Sequence, residues 1–206
     1  MGADAVPGTA SPLVILFVDP LISQQTVPLY STIFQAGTTD RFMRIYMPRT
    51  EARMKSDFDL IMISDATVDN FPIKYFPWMV SSVREEGLGF FTTGGSAMYG
   101  GRGGYAPWDT SLIVDIFAVS FEPFQIYEVD ASGHGPIKLA PVDMENEFIT
   151  SLPWETATYL NYMVHIVETK QGTRTILKMD NPEEYPTLSY WDIGKGRATN
   201  LIFDWS

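Results

Sequence analysis

Residues 85–105 read EEGLGFFTTGGSAMYGGRGGY, and the first half of that stretch decides the fold. LGFFTT, at 88–93, is a short apolar run that stops at Gly94-Gly95. A run of this length, bounded by turn formers, suits a strand buried on both faces of a sheet. Upstream, Tyr75, Phe76, Met79, Val80 and Val83 recur at helical spacing across 73–86, with Pro77 where a first turn tolerates it. Before that helix, DLIMIS at 59–64 repeats the apolar run, and LVILFV at 13–18 does so again. Between those two runs, Val27, Tyr30, Ile33 and Phe34 predict a helix over 24–36, and 41–47 reads as a strand. Strand alternating with helix is the pattern of a parallel sheet with helices on both faces.

Beyond Trp108 the character changes. Segments 124–129, 136–139, 163–169, 173–179, 187–191 and 197–203 are short and strand-like, separated by turn residues. They are expected as antiparallel strands added to the edge of the sheet. Residues 1–11, rich in Ala, Gly and Pro, are expected to be a flexible N-terminus, and 12–206 a single domain.

The formal charge of −11 argues against nucleic acid, since phosphate binding needs clustered Lys and Arg. Arg41, Arg44, Arg49, Arg53 and Lys55 form the densest basic group, but apolar residues and Glu51 interrupt it. No apolar stretch approaches the roughly 20 residues of a membrane span, and no secretory signal opens the chain. The expected location is cytoplasmic. With no cysteine, the chain has no disulfide, no thiolate zinc site and no thiol nucleophile. His134 and His165 are the only imidazoles, so no metal site is expected.

Ligands of open sheets bind beyond the carboxyl ends of parallel strands. Three such ends are marked, by Asp19, by Asp65 and by Gly94-Gly95-Ser96. The two carboxylates suit a ligand-binding or acid–base pair, and equally suit caps of turns. The six glycines between 92 and 108 mean tight turns or close approach of a ligand, with Tyr99 and Tyr105 as candidate aromatic contacts. No Gly-Lys-Ser/Thr follows and the dinucleotide spacing is absent, so no cofactor is expected. Gly194-Lys195-Gly196-Arg197 is explained by a hairpin turn.

The run at 85–105, preceded by DLIMISD and a helix, resembles the glutamine amidotransferase-like proteins of the class I superfamily. FITSLPWE at 148–155 and PTLSYWDIGKGRATNLIF at 186–203 are similar to that group's downstream pattern. The resemblance implies a flavodoxin-like three-layer α/β/α sandwich, mostly parallel, with an antiparallel C-terminal extension. Members of that group usually continue past the final strand, so a chain stopping at Asp204-Trp205-Ser206 is expected to be either a short member or a trimmed one. The resemblance places Gly94 where an active relative carries its catalytic cysteine, so amidotransferase activity is not expected.

The leading expectation is therefore a non-catalytic domain binding a small polar ligand or a protein partner through Asp19, Asp65, Gly94, Gly95, Ser96, Tyr99 and Tyr105. Two alternatives stay open. One is a serine hydrolase using Ser96 with His134 or His165, although the stretch lacks the G-x-S-x-G elbow. The other is a homo-oligomer or scaffold paired through exposed edge strands.

Overall fold

The computed structural model describes residues 13–18, 31–36, 47–99, 108, 111–120, 128–130, 136–154, 163–165 and 167–203. The apolar runs form the heart of a sheet. Leu13–Val18 (β1), Leu60–Ser64 (β3) and Gly89–Thr93 (β4) are strands, and all three pair in parallel. Ser31–Ala36 (β2) pairs in parallel with β1 along its full length, from Leu13↔Ser31 to Val18↔Ala36. This corrects the expected helix over 24–36. The Thr32-Ile33-Phe34 run favours an extended chain, and pairing with β1 outweighs a loose helical spacing. The strand expected at 41–47 lies almost wholly outside the described residues.

The antiparallel half is built from Leu139–Pro141 (β7), Arg174–Met179 (β10), Pro186–Ile193 (β11) and Gly196–Leu201 (β12). The eight strands run β2-β1-β3-β4-β12-β11-β10-β7. The last strand is thus not an edge addition. β12 slots between β4, with which it is parallel, and β11, with which it is antiparallel. Four further segments leave the main sheet. Val119–Ser120 (β5) pairs with Glu168–Thr169 (β9), and Glu128–Asp130 (β6) pairs with Met163–His165 (β8).

Helices are few and short among the described residues: Glu51–Ser56 (α1), Tyr75–Ser81 (α2), Ser96–Tyr99 (α3) and Glu147–Thr150 (α4), with 3₁₀ helices at Val68–Asn70 and Leu112–Ile116. Met54, Tyr75, Phe76, Met79, Met98, Ile113 and Ile116 pack on one face of the sheet, against Leu16, Val18, Ile61, Ile63, Phe90 and Ala198. On the other face Ile15, Phe17 and Met62 cluster with Leu60 and Phe91, and no described helix joins them. At the antiparallel end of that face, α4 contributes Ile149 against Leu177, Leu188 and Tyr190. The expectation of a flavodoxin-like three-layer sandwich with a class I amidotransferase-like fold is therefore corrected. The described architecture is a mixed, sheet-dominated one, with most of its described helices on one face and only the short α4 on the other. The reason lies in the sequence: the segment read as the first helix is a strand, and the second half of the chain yields strands in place of a covering layer.

The end of α2 shows how the β11–β12 hairpin is fixed. α2 continues as a π-helical turn over Ser82–Glu86, and the Arg84 carbonyl in that last turn accepts Lys195 N at 2.8 Å. Gly194, at φ 61°, sits so close to that turn that a Cβ would come within 2.8 Å of Arg84 Cα and closer still to its carbonyl oxygen. The expected hairpin turn at 194–197 is present, and its first glycine is set by a helix it must touch. Gly194→Ala is expected to cost at least about 2 kcal/mol, because left-handed strain and a backbone clash add. Chemical denaturation would measure it, and stability equal to the parent chain would refute the packing.

Candidate functional site at the carboxyl edge of β3 and β4

β3 and β4 run side by side to Ser64↔Thr93, the last pair of their ladder. Asp65 N donates to Thr93 O at 2.9 Å, and Asp65 itself stands at φ 40°. Aspartate is among the few side chains that tolerate this region. Gly94 then lies directly against Asp65. A Cβ at position 94 would stand 2.6 Å from Asp65 N and 2.7 Å from Asp65 Cα, and Gly94 has φ 143°. No side chain fits there.

The turn is held from three sides. Asp65 Oδ1 accepts Gly95 N at 2.9 Å, so the carboxylate reaches forward over the bend. Phe203 O accepts both Gly94 N at 3.2 Å and Thr93 Oγ1 at 2.8 Å. Beneath the turn, Tyr99 folds back from α3 to Thr92. Its hydroxyl donates to Thr92 O at 3.0 Å and lies 2.8 Å from Thr92 Oγ1. Asn200 Nδ2 on β12 bonds Thr92 Oγ1, and Asn200 Oδ1 accepts Ala118 N at 2.7 Å. All four residues are buried. Beside this network Trp108, wholly buried, donates Nε1–H to Ala66 O at 2.9 Å and meets Phe71 edge-on at 5.4 Å.

The residues singled out from sequence are thus distributed unevenly. Asp65, Gly94 and Gly95 come together in one turn, and Ser96 opens α3 immediately after it. Tyr99 lies beneath the turn, with its hydroxyl committed inside the core. His165 stands on β8, in a separate small sheet paired with β6. Asp19, Tyr105 and His134 lie outside the described residues. Thr92 and Asn200 were not singled out, though polar residues inside the apolar runs FFTT and ATNLIF are the signal that would have found them. Among the described residues, no group of three His, Asp or Glu side chains is disposed to hold a metal ion.

No family model matches the chain, and no curated protein matches it. Solved structures do. A cytoplasmic protein of Salmonella typhimurium superposes with a TM-score of 0.74 at 13% identity, covering 93% of this chain and 87% of that one. A second cytoplasmic protein, from Salmonella typhimurium LT2, gives 0.71 at 14% identity, over 94% and 89% of the two chains. The β-galactosidase of Rahnella sp. R3 gives 0.50 at 7% identity, covering 91% of this chain but only 28% of the enzyme. These likenesses establish shared fold alone. They accompany the sheet-dominated architecture rather than a flavodoxin-like amidotransferase fold. No described helix is long and apolar enough to cross a membrane.

Burial pushes the Tyr99 hydroxyl well above the usual phenol range, and the bonds to Thr92 and Asn200 only partly oppose this. A raised folded pKa means stability that is intact below the unfolded value of about 10 and is lost as pH rises past it. Tyr99→Phe is expected to cost about 1 kcal/mol at neutral pH. It should also lessen the loss of stability between about pH 9 and pH 11. Denaturant titrations across that range check both. An unchanged alkaline slope would show that Tyr99 is not buried in this network.

Proposed function

We propose that this chain is a non-catalytic binding domain that takes a small polar ligand at the carboxyl edge of β3 and β4, over the Asp65–Gly94–Gly95 turn. The observation that carries the reading is the missing room at position 94. A reactive side chain on the bend would collide with the Asp65 backbone, and the chain has no cysteine to place there. What the turn does offer is a partly exposed carboxylate on a strained residue, held above a rigid backbone bend. Strained backbone persists where surrounding structure over-determines it, and such positions cluster at ligand clamps. The Thr92–Tyr99–Asn200 network and the two bonds to Phe203 O supply that surrounding structure, so the site needs little reorganisation on binding. We place the domain in the cytoplasm, as its two fold neighbours from Salmonella are cytoplasmic proteins.

The test is a thermal-shift screen of nucleotides, sugars and amino acids, followed by amide spectra of the purified chain with any compound that stabilises it. At least one compound should raise the melting temperature and move the Gly94 or Gly95 amide. Asp65→Ala should abolish the effect. Asp65→Asn, which keeps an acceptor oxygen for Gly95 N, should remain folded. Ester or amide hydrolysis by the purified chain, lost on Ser96→Ala, would contradict the reading.

A further inference from the structure

Five large apolar side chains are exposed among the described residues, and three of them, Val142, Met144 and Leu152, fall in one stretch after β7. β7 is the outermost strand of the main sheet at its antiparallel end. The stretch is held to that edge at both ends. Val142 N donates to Ile176 O of β10 at 2.8 Å. The chain then turns at Asp143–Asn146, where Asn146 N donates to Asp143 O at 3.3 Å, and enters α4. α4 lies back on the same edge, its Ile149 clustering with Leu177 of β10 and Leu139 of β7, and Leu152 follows its last turn. β10 runs with β4 and β7 runs against both. The end of β7 therefore lies at the opposite end of the sheet from the Asp65–Gly94 turn.

Single apolar residues on a surface are ordinary, whereas a group of them rimmed by polar side chains marks an interaction surface. The rim here has one sign. Between 142 and 152 the chain carries Asp143, Glu145 and Glu147 and no Lys or Arg. Among the described residues none of these carboxylates has a cationic partner, and the lysines on this edge are taken, Lys138 by Asp180 and Lys178 by Glu184. The charges choose the occupant. A second copy of this chain would set like carboxylates against each other. Strand addition by a second copy is hindered as well. Lys138 O and Val142 N are spent on β10, so by alternation Leu139 and Pro141 turn their backbone groups outward, and Pro141 has no N–H to give. An anionic membrane surface and nucleic acid are repelled by the same rim. A cationic segment is attracted, and the thioether of Met144 adapts to a range of apolar side chains. We propose that the edge formed by β7 and α4 docks a basic, amphipathic segment of a partner protein. Its apolar side chains cover Val142, Met144 and Leu152, and its Lys or Arg side chains oppose Asp143, Glu145 and Glu147. The surface is separate from the ligand-binding turn and rests on none of the observations used for it.

The experiment titrates a synthetic peptide of Leu and Lys at helical amphipathic spacing into the full chain, following peptide anisotropy and the Met144 methyl resonance. A Leu/Glu peptide of the same spacing and phosphatidylglycerol vesicles are the comparison probes. Three paired variants are used: Val142→Ser with Met144→Ser, Glu145→Lys with Glu147→Lys, and Asp69→Lys with Glu168→Lys, which changes the net charge equally away from this edge. The Leu/Lys peptide should bind the parent, move the Met144 methyl and leave the Gly95 amide still. The serine pair and the Glu145/Glu147 pair should each weaken binding at least about tenfold, the worth of one well-made contact. Both should melt with the parent, since the replaced side chains are exposed. The Asp69/Glu168 pair should bind nearly as the parent does. Several results would overturn the proposal. No binding, equal binding of the Leu/Glu peptide, or undiminished binding by either edge pair would remove the surface. An equal loss in the Asp69/Glu168 pair would reduce the effect to net charge. Movement of the Gly95 amide in place of the Met144 methyl would put the peptide at the turn. Vesicles moving the Met144 methyl, or self-association of the parent that the serine pair abolishes, would assign the edge to a membrane or to a second copy instead.

Discussion

Two backbones that come too close for a side chain govern this molecule. At the end of the β3–β4 ladder Asp65 N donates to Thr93 O, the bond that closes the Ser64↔Thr93 pair. There Asp65 takes positive φ, Gly94 lies against its backbone, and the Asp65 carboxylate accepts Gly95 N. The chemistry of the edge follows. Position 94 can turn the chain but cannot carry a side chain, and the carboxylate next to it accepts the Gly95 amide.

The rest of the sheet serves to keep that bend in place. β12 is the decisive strand, because it lies between the parallel and antiparallel halves and touches the turn through Phe203. Asn200 crosses from β12 to Thr92, and Tyr99 reaches the same hydroxyl from α3. A buried network that satisfies every member rigidifies a core and fixes one register over its alternatives. The apolar surroundings do the bulk of the stabilising, with Trp108, Phe71, Phe76, Phe90 and Phe117 meeting largely edge-on. The polar row decides which residues face each other.

Much of this was legible from sequence where the signal was local. The runs LVILFV, LIMIS and GFFTT are strands because continuous apolar stretches of that length bury both faces, and Asp65 and Gly94 were marked by their places at strand ends. The misreadings came from signals that are not local. Residues 31–36 form a strand because β1 offers a partner, a fact their own spacing does not contain. The insertion of β12 between β4 and β11 brings residues about a hundred positions apart together, as Thr92 and Asn200 show. The expectation of helices on both faces failed for the same reason, since alternation of elements says little about which face a connection covers. Asp19, expected to face Asp65 across the edge, lies outside the described residues, and Asp65 Oδ1 accepts the Gly95 amide.

The central claim is that position 94 has no space for a Cβ, and one measurement addresses it directly: the unfolding free energy of Gly94→Ala against the parent chain. The account predicts a loss of at least about 3 kcal/mol, from positive-φ strain and collision with the Asp65 backbone together. An alanine variant as stable as the parent would mean that the bend can carry a side chain, and the non-catalytic reading of this edge would lose its footing.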